Sequence, residues 1–459
     1  MGLTMGRRRF LQALLPGLAV GLAGCGGIEP VPPDDDHDPR LTPRPRPPTD
    51  DAAEAIPGAD LYGTVVDLVD EGADRTGQRS IVPLLEEYAG DDTLLFLDQG
   101  EYLLDEMFHA DGVSEFALMG RDATIHVPAG FDTNAVWVRA NRGLRVQNVT
   151  FEFADGSGGR ALHLVAGDGL DVADVTVRGY FDHGRGPVRV DVTDEDGAGV
   201  VERLNLPDGA AFDSNATGLL VGSENFGDIT FRDCSIQGFP DNGLYAEPPG
   251  GAMDVEGGYY ANNGISNVRV KGGSTVRGVH VECDANHDPE FLNMRGIRAS
   301  HRQPRADADP VVVTDCRIEL RDVTHSDGAI LLASRLGELV VEDTYIAVDA
   351  DDTGGIYAKA PEADLQEATP RLQCTNVTIT GAAARRAAVR VDDRNGCSFD
   401  RLRVRQRGHE RDGILFNRSN GNTVTDSLID VTGEPVVLED STADVSELVT
   451  TRSPPFPFD

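Results

Sequence analysis

From residue 60 to about residue 440, apolar and polar positions alternate in short runs that recur along the chain. The repeating unit opens on a Gly-apolar-x-apolar run, passes a short Asn, Asp or Gly turn, and continues as apolar-x-(Asp/Asn)-x-x-apolar. The second segment recurs as Leu144 to Phe151, Leu170 to Val177, Ile229 to Ile236, Val312 to Ile318, Leu339 to Ile346, Cys374 to Ile379 and Val424 to Ile429. The Gly-led run stands before several of these, as at Gly243 to Ala246, Gly296 to Ala299, Gly355 to Ala358 and Gly413 to Phe416. Period-two alternation predicts strands, and a unit that restarts every 20 to 31 residues predicts a solenoid. Strands this short cannot bury an inner face alone, so neighbouring coils must cover it. A β-sandwich, the competing architecture, would place hairpin turns about 8–12 residues apart and show no longer period.

The pattern therefore predicts an all-β parallel β-helix of about a dozen coils over 131–445, with 60–130 supplying an N-terminal cap and the first coils. Over 80–90, Ile81, Leu84, Leu85 and Tyr88 fall on one helical face, Pro83 sits in the first turn and Gly90 ends the run. Such a helix would close the open end of the solenoid. Residues 446–459 read as a tail.

The first 25 residues are a targeting signal. Arg7-Arg8-Arg9-Phe10-Leu11-Gln12 resembles the twin-arginine export motif, and the apolar stretch 11–24 is too short for a permanent span. It ends in Leu22-Ala23-Gly24-Cys25, which resembles a lipobox. The resemblance implies export of the folded protein and lipid attachment at Cys25, hence a membrane anchor at the outer face. Residues 26–59 hold nine of the 26 prolines and read as an extended tether. At ~3.1 Å per residue it could span up to ~100 Å.

Charge narrows the function. The chain has 41 Lys+Arg against 77 Asp+Glu, a formal charge of −36, which excludes a nucleic-acid binder because phosphate contacts need clustered cations. With 40% hydrophobic residues it is not a disordered chain either. Only Lys271 and Lys359 are lysines. An acid-rich, lysine-poor composition points to a halophile, in whose molar salt so much like charge is screened.

The repeat resembles the right-handed parallel β-helix proteins of the pectate-lyase-like superfamily. Gly72-Ala73-Asp74, the Ser80 to Tyr88 segment and Asp98-Gln99-Gly100-Glu101-Tyr102 further resemble the start of the rhamnogalacturonase/epimerase-like members. Arg75 to Arg79 replaces their aspartate pair, and Gln99 their proline. The resemblance implies fold, and it leaves lyases, hydrolases, epimerases, adhesins and scaffolds all open. Galacturonan hydrolases of the superfamily carry close carboxylates and a Gly-His-Gly; the nearest residues are Asp392-Asp393 and Gly408-His409-Glu410, with no following Arg-x-Lys. Pectate lyases use an Arg or Lys base beside Ca²⁺; Arg302-Gln303-Pro304-Arg305 is shorter than their motif, and the acidic turn Asp349 to Asp352 could hold Ca²⁺. The His287-Asp288-Pro289-Glu290 string has the letters of an epimerase motif in another order.

Aligning the Gly-led runs puts Leu244/Ala246, Val268/Val270, Ile297/Ala299, Ile356/Ala358 and Val389/Val391 inward. The outward column reads Tyr245, Arg269, Arg298, a leucine, Tyr357 and Arg390, and two residues on it reads Glu247, Lys271, Ser300, Lys359 and Asp392. Stacked ~4.8 Å apart, these form a cationic and aromatic strip, with His301 and Arg302 opening an excursion beside it. Such a groove suits an acidic polysaccharide: arginines fork carboxylates or sulfates, tyrosines stack on sugars, and Lys271 or Arg298 could act as base. The alternative is a non-catalytic surface scaffold or adhesion module whose arginines pair with acids on adjacent coils. Cys374 and Cys397, two residues out of register on successive coils, could pair, while the remaining cysteines read as small core residues. Asn148, Asn215, Asn376 and Asn417 head glycosylation sequons, and Asn148 and Asn376 could instead stack in a ladder.

Overall fold

The Asn/Asp position of the repeat is where the chain turns its sharpest corner. Asn148, Asp174, Asp233, Asp315, Asp343, Asn376 and Asp426 all adopt φ between 44° and 56°, a left-handed conformation that Asn and Asp tolerate best among residues with a Cβ. Such a residue bends most coils from one sheet into the next, and Gly257 and Gly278 take the same corner in two of them. Arg203 and Arg401 occupy the same corner, and Arg203 forks the carboxylate of Asp174 on the coil before it. Asn376 donates 2.6 Å to Asp343 at the same corner of the coil before it.

The structure is a computed structural model describing residues 55–182, 184–304, 308–365 and 370–451. The leader, Cys25 and all but the last few residues of the tether lie outside the described residues, as do Arg305 and the end of the C-terminal tail. No helix among the described residues is long and apolar enough to cross a membrane.

The chain winds as a right-handed parallel β-helix, every pairing between coils being parallel, as in the run from Asn242–Ala246 through Ser266–Lys271 to Arg295–Ser300. Each coil crosses three sheets in order, and two early strands, Phe108–Val127 and Asn134–Phe153, run through all three without a break. Among the described residues the first sheet extends from the start of Phe108–Val127 to Val436–Glu439, thirteen rungs, in line with the dozen coils expected. Coil length varies more than the sequence suggested. Successive rungs of the second sheet are as close as Val255 to Val276 and as far apart as Val276 to Val313, because two excursions, one before Arg295 and one after Ser300, are inserted without changing register.

Leu244, Val268, Ile297, Ile330, Ile356, Val389 and Ile414 stack in register and are fully buried. Each such side chain contributes about 1.5–3 kcal/mol by leaving water. The glycine that opens the Gly-led run is required by space: a Cβ on Gly413 would lie 2.3 Å from the Pro435 carbonyl of the next coil, and one on Gly296 2.5 Å from that of Ala329. The helix expected over 80–90 is present as the shorter Val82–Tyr88, with Ile81, Val82 and Leu85 buried. Cys374 and Cys397 are two residues out of register, as anticipated, but remain free thiols; all five described cysteines are buried and unpaired with one another.

Candidate functional site

The outward column of the first sheet is in the expected register. Tyr245, Arg269, Arg298, Leu331, Tyr357 and Arg390 face outward on consecutive rungs. The same ladder continues toward the N-terminus through Leu220, Arg189, His163, Trp137 and His109. This stretch was missed in sequence because the Gly-led run is absent there. The Trp137 and His163 rings stack at 5.5 Å, and His109 lies tilted 4.4 Å from Trp137 on the other side.

Two cavities of about 440 and 400 Å³ lie on the C-terminal half of this face and share Lys359. The floor of the first holds Tyr245, Arg269 and Arg298. Its wall is built where the chain leaves the sheet. Arg335 donates 2.8 Å to Glu362 and 3.1 Å to the Arg302 carbonyl, tying three successive loops together. Behind it Arg394, fully buried, donates to the carbonyls of Ala333, Leu336, Gly337 and Lys359 at 2.7–3.1 Å. Neither arginine could be assigned from sequence, since their acceptors are mostly backbone atoms on other coils.

Three floor arginines stand in different states. Arg269 packs its guanidinium 4.3 Å over the Tyr245 ring and pairs with the buried carboxylate of Glu247. Arg295 is held by Asp327, which also accepts 3.0 Å from Lys359. Arg298, between them and half-buried, makes no hydrogen bond or ion pair with any described residue, and its Nε is buried without a partner. Burial, followed by the charges of Arg269 and Arg295, pushes its pKa down to about 10. A partly desolvated cation flanked by like charges gains most from an incoming anion.

The remaining expected residues separate into those the structure brings together and those it does not. Tyr357 donates 2.8 Å to Asp392, and Arg390 reaches the same carboxylate at 3.1 Å, as does Asn417. Burial, then Asp392, pushes the Tyr357 hydroxyl up to about 12. Asp392 is thus fully engaged rather than poised as an acid or base. Asp393 turns away in a left-handed corner and is forked by Arg418, 2.7 Å from Nε. His409 lies 3.4 Å from Arg385, at the other edge of the sheet. Asp392 pairs with Asn417, five residues along the strand from Asp412, which puts His409 about 16 Å or more away. The hydrolase-like constellation is therefore not assembled. Lys271 is buried with its Nζ 2.7 Å from the Gly251 carbonyl and lines neither cavity, so it is not the expected base on the groove floor. His301 does line the first cavity, its Nδ1 2.8 Å from the Gln303 carbonyl.

In the acidic turn, Asp349 and Asp351 accept from the Ala382 and Ala384 amides and Asp352 from Arg385. Among the described residues no group of three or more His, Cys, Asp or Glu is placed to hold a metal ion.

Neither a scan against protein-family models nor a search of the curated proteins returns a match. Among solved structures the chain is similar to the A-module of the mannuronan C-5 epimerase AlgE6 of Azotobacter vinelandii, at 12% identity, 84% of this chain, 99% of that one and a TM-score of 0.39. It is also similar to PfbA, a surface adhesin of Streptococcus pneumoniae, at 10%, 85%, 92% and 0.41. A third is the tailspike protein of E. coli bacteriophage HK620, at 9%, 84%, 79% and 0.44. Likeness at this level assigns neither a substrate nor a reaction.

Proposed function

We propose that this is an extracytoplasmic protein, lipid-anchored at Cys25 and suited to high salt, whose first sheet binds an acidic polysaccharide. The observation that carries the reading is Arg298, a half-buried guanidinium without a partner among the described residues, on the floor of a 440 Å³ cavity. Tyr245, Arg269, His301, Tyr357, Lys359 and Arg390 line the same two cavities. Most of them are already paired with carboxylates, so their part is to shape the groove while Arg298 meets the ligand's charge.

A charge-assisted contact of this kind contributes about 1.5–3 kcal/mol, roughly 10- to 100-fold in affinity. Calorimetric titration of the folded protein in molar salt with uronate, sulfated and neutral oligosaccharides tests it. Arg298→Ala is expected to weaken binding of the anionic ligand at least tenfold and to leave any neutral one alone; unchanged binding refutes the reading. Catalysis is favoured only by the lowered pKa of Arg298, which moves the group toward service as a base in β-elimination or epimerisation. Absorbance of an unsaturated uronate would mark the lyase, and binding without turnover the adhesion module.

A further inference from the structure

We infer that the second cavity is a second anion subsite, with Arg386 as its contact, so that the groove selects glycans long enough to place separate negative charges on Arg298 and Arg386. The inference rests on the acidic-polysaccharide reading and deepens it.

Arg386 was not singled out in the sequence. It precedes the strand Ala387–Asp392 in a left-handed conformation, φ 53°, is exposed, and lines the 400 Å³ cavity. Its side chain makes no hydrogen bond or ion pair with a described residue, although neighbouring Arg385 is forked by Asp352. The other cations bordering the second cavity are committed: Lys359 to Asp327 and Arg390 to Asp392. Each cavity thus offers one arginine with no hydrogen bond or ion pair to a described residue, Arg298 in the first and Arg386 in the second, where Asp412 also lines the cavity and accepts from the Glu434 amide.

Between them stands an acid. Asp327, itself lining the second cavity, is bridged by Arg295 and Lys359, and burial opposed by these two cations leaves its pKa lowered. Arg295 and Lys359 are engaged by it, so the cations left to meet a ligand, Arg298 and Arg386, are discrete points. Arg298 and Arg390 are three rungs apart, and Arg386 lies four residues along the strand from Arg390. At ~4.8 Å per rung and ~3.3 Å per residue the two backbone positions are about 20 Å apart. A short uronate can satisfy one arginine; only a longer chain, crossing Lys359, reaches both, and the second contact is then intramolecular.

The test uses the intact folded protein with uronate and sulfated di- and hexasaccharides, titrated against wild type, Arg298→Ala and Arg386→Ala. The expected result is that the hexasaccharide binds at least tenfold more tightly than the disaccharide. Arg386→Ala should remove that advantage and leave disaccharide binding unchanged, while Arg298→Ala weakens both. If Arg386→Ala leaves the hexasaccharide unaffected while Arg298→Ala still weakens binding, the second subsite is overturned and the acidic-polysaccharide reading stands. If Arg298→Ala changes neither ligand, or wild type binds none, that reading falls as well. Comparing the uronate with the sulfated series shows which anion the arginines take.

Discussion

Removing the Arg394 side chain is expected to loosen the wall of the first cavity without unravelling the solenoid. Its guanidinium makes four bonds to carbonyls, at 2.7 Å to Lys359, 3.1 Å to Leu336, 2.9 Å to Gly337 and 3.0 Å to Ala333, and among the described residues no carboxylate pairs with it. Burial pushes its pKa down to about 10, a measure of how much the desolvation of the charge offsets those bonds. Arg394→Ala leaves four acceptors around a void. Each buried unsatisfied acceptor costs about 1–3 kcal/mol, and water entering the void recovers part, which leaves a net loss of about 3–5 kcal/mol. Coils contact only their neighbours, so the loss should stay local rather than appear as one global transition. Amide hydrogen exchange reads it directly. Protection in Ile330–Leu332, Glu338–Glu342 and Ile356–Ala358 should fall by about two to four orders of magnitude, while Arg160–Ala166 is unchanged. Arg394→Lys, with one ammonium in place of three nitrogens, should recover only part of it. Undiminished protection in Arg394→Ala would refute the claim that this cation holds the wall.

The stacked ring of His163 predicts a pH dependence. Burial first, then Arg189 and Arg160, pushes its pKa down to about 4, against a small opposing effect of Glu224. The folded state then binds fewer protons than the unfolded chain, so its stability is full above about pH 6.5 and declines as pH falls toward 4. Allowing for solvent screening of a ring this exposed, the change is about 1–2 kcal/mol. His163→Phe, which keeps the stack on Trp137, should flatten the pH 4–6.5 part of the urea-unfolding profile; an unchanged slope would show that another group carries it. For the thiols, Ellman titration should find essentially none reactive among the five buried cysteines in the native protein and all five once unfolded, with no effect of reductant on melting. A titre two short of five after denaturation without reductant would mean that Cys374 and Cys397 are bonded after all.

The sequence carried the fold because the period and the Asn/Asp corner are local features. The first sheet's register could be read from Gly243 onward, where the Gly-led run marks each coil. It was lost between His109 and Arg189, where two long strands run through the corners without that mark. The site was legible only to the level of which residues face outward. Lys271 shows why: its position on the strand is as expected, yet a flexible stem carries its Nζ to the Gly251 carbonyl. Asp392 and Asp393, adjacent in sequence, part because the second occupies a left-handed corner. Arg394 and Arg386 gave no signal, since what distinguishes one is four carbonyls from other coils and the other the lack of a hydrogen bond or ion pair with a described residue.

The excursion after Ser300 has a consequence for how such a protein can change. The coil containing it is 37 residues long, Val276 to Val313, yet the rungs before and after it keep the same parallel pairing as the coil of 21 residues from Val255 to Val276. The edge where the chain leaves the first sheet takes about half of the extra length, Ala299 to Val313 against Val270 to Val276, while the parallel pairing continues on either side. Grafting or shortening loops there would vary the height and chemistry of the groove wall while leaving the scaffold intact, which makes this edge the place where one coil framework can be refitted for different ligands.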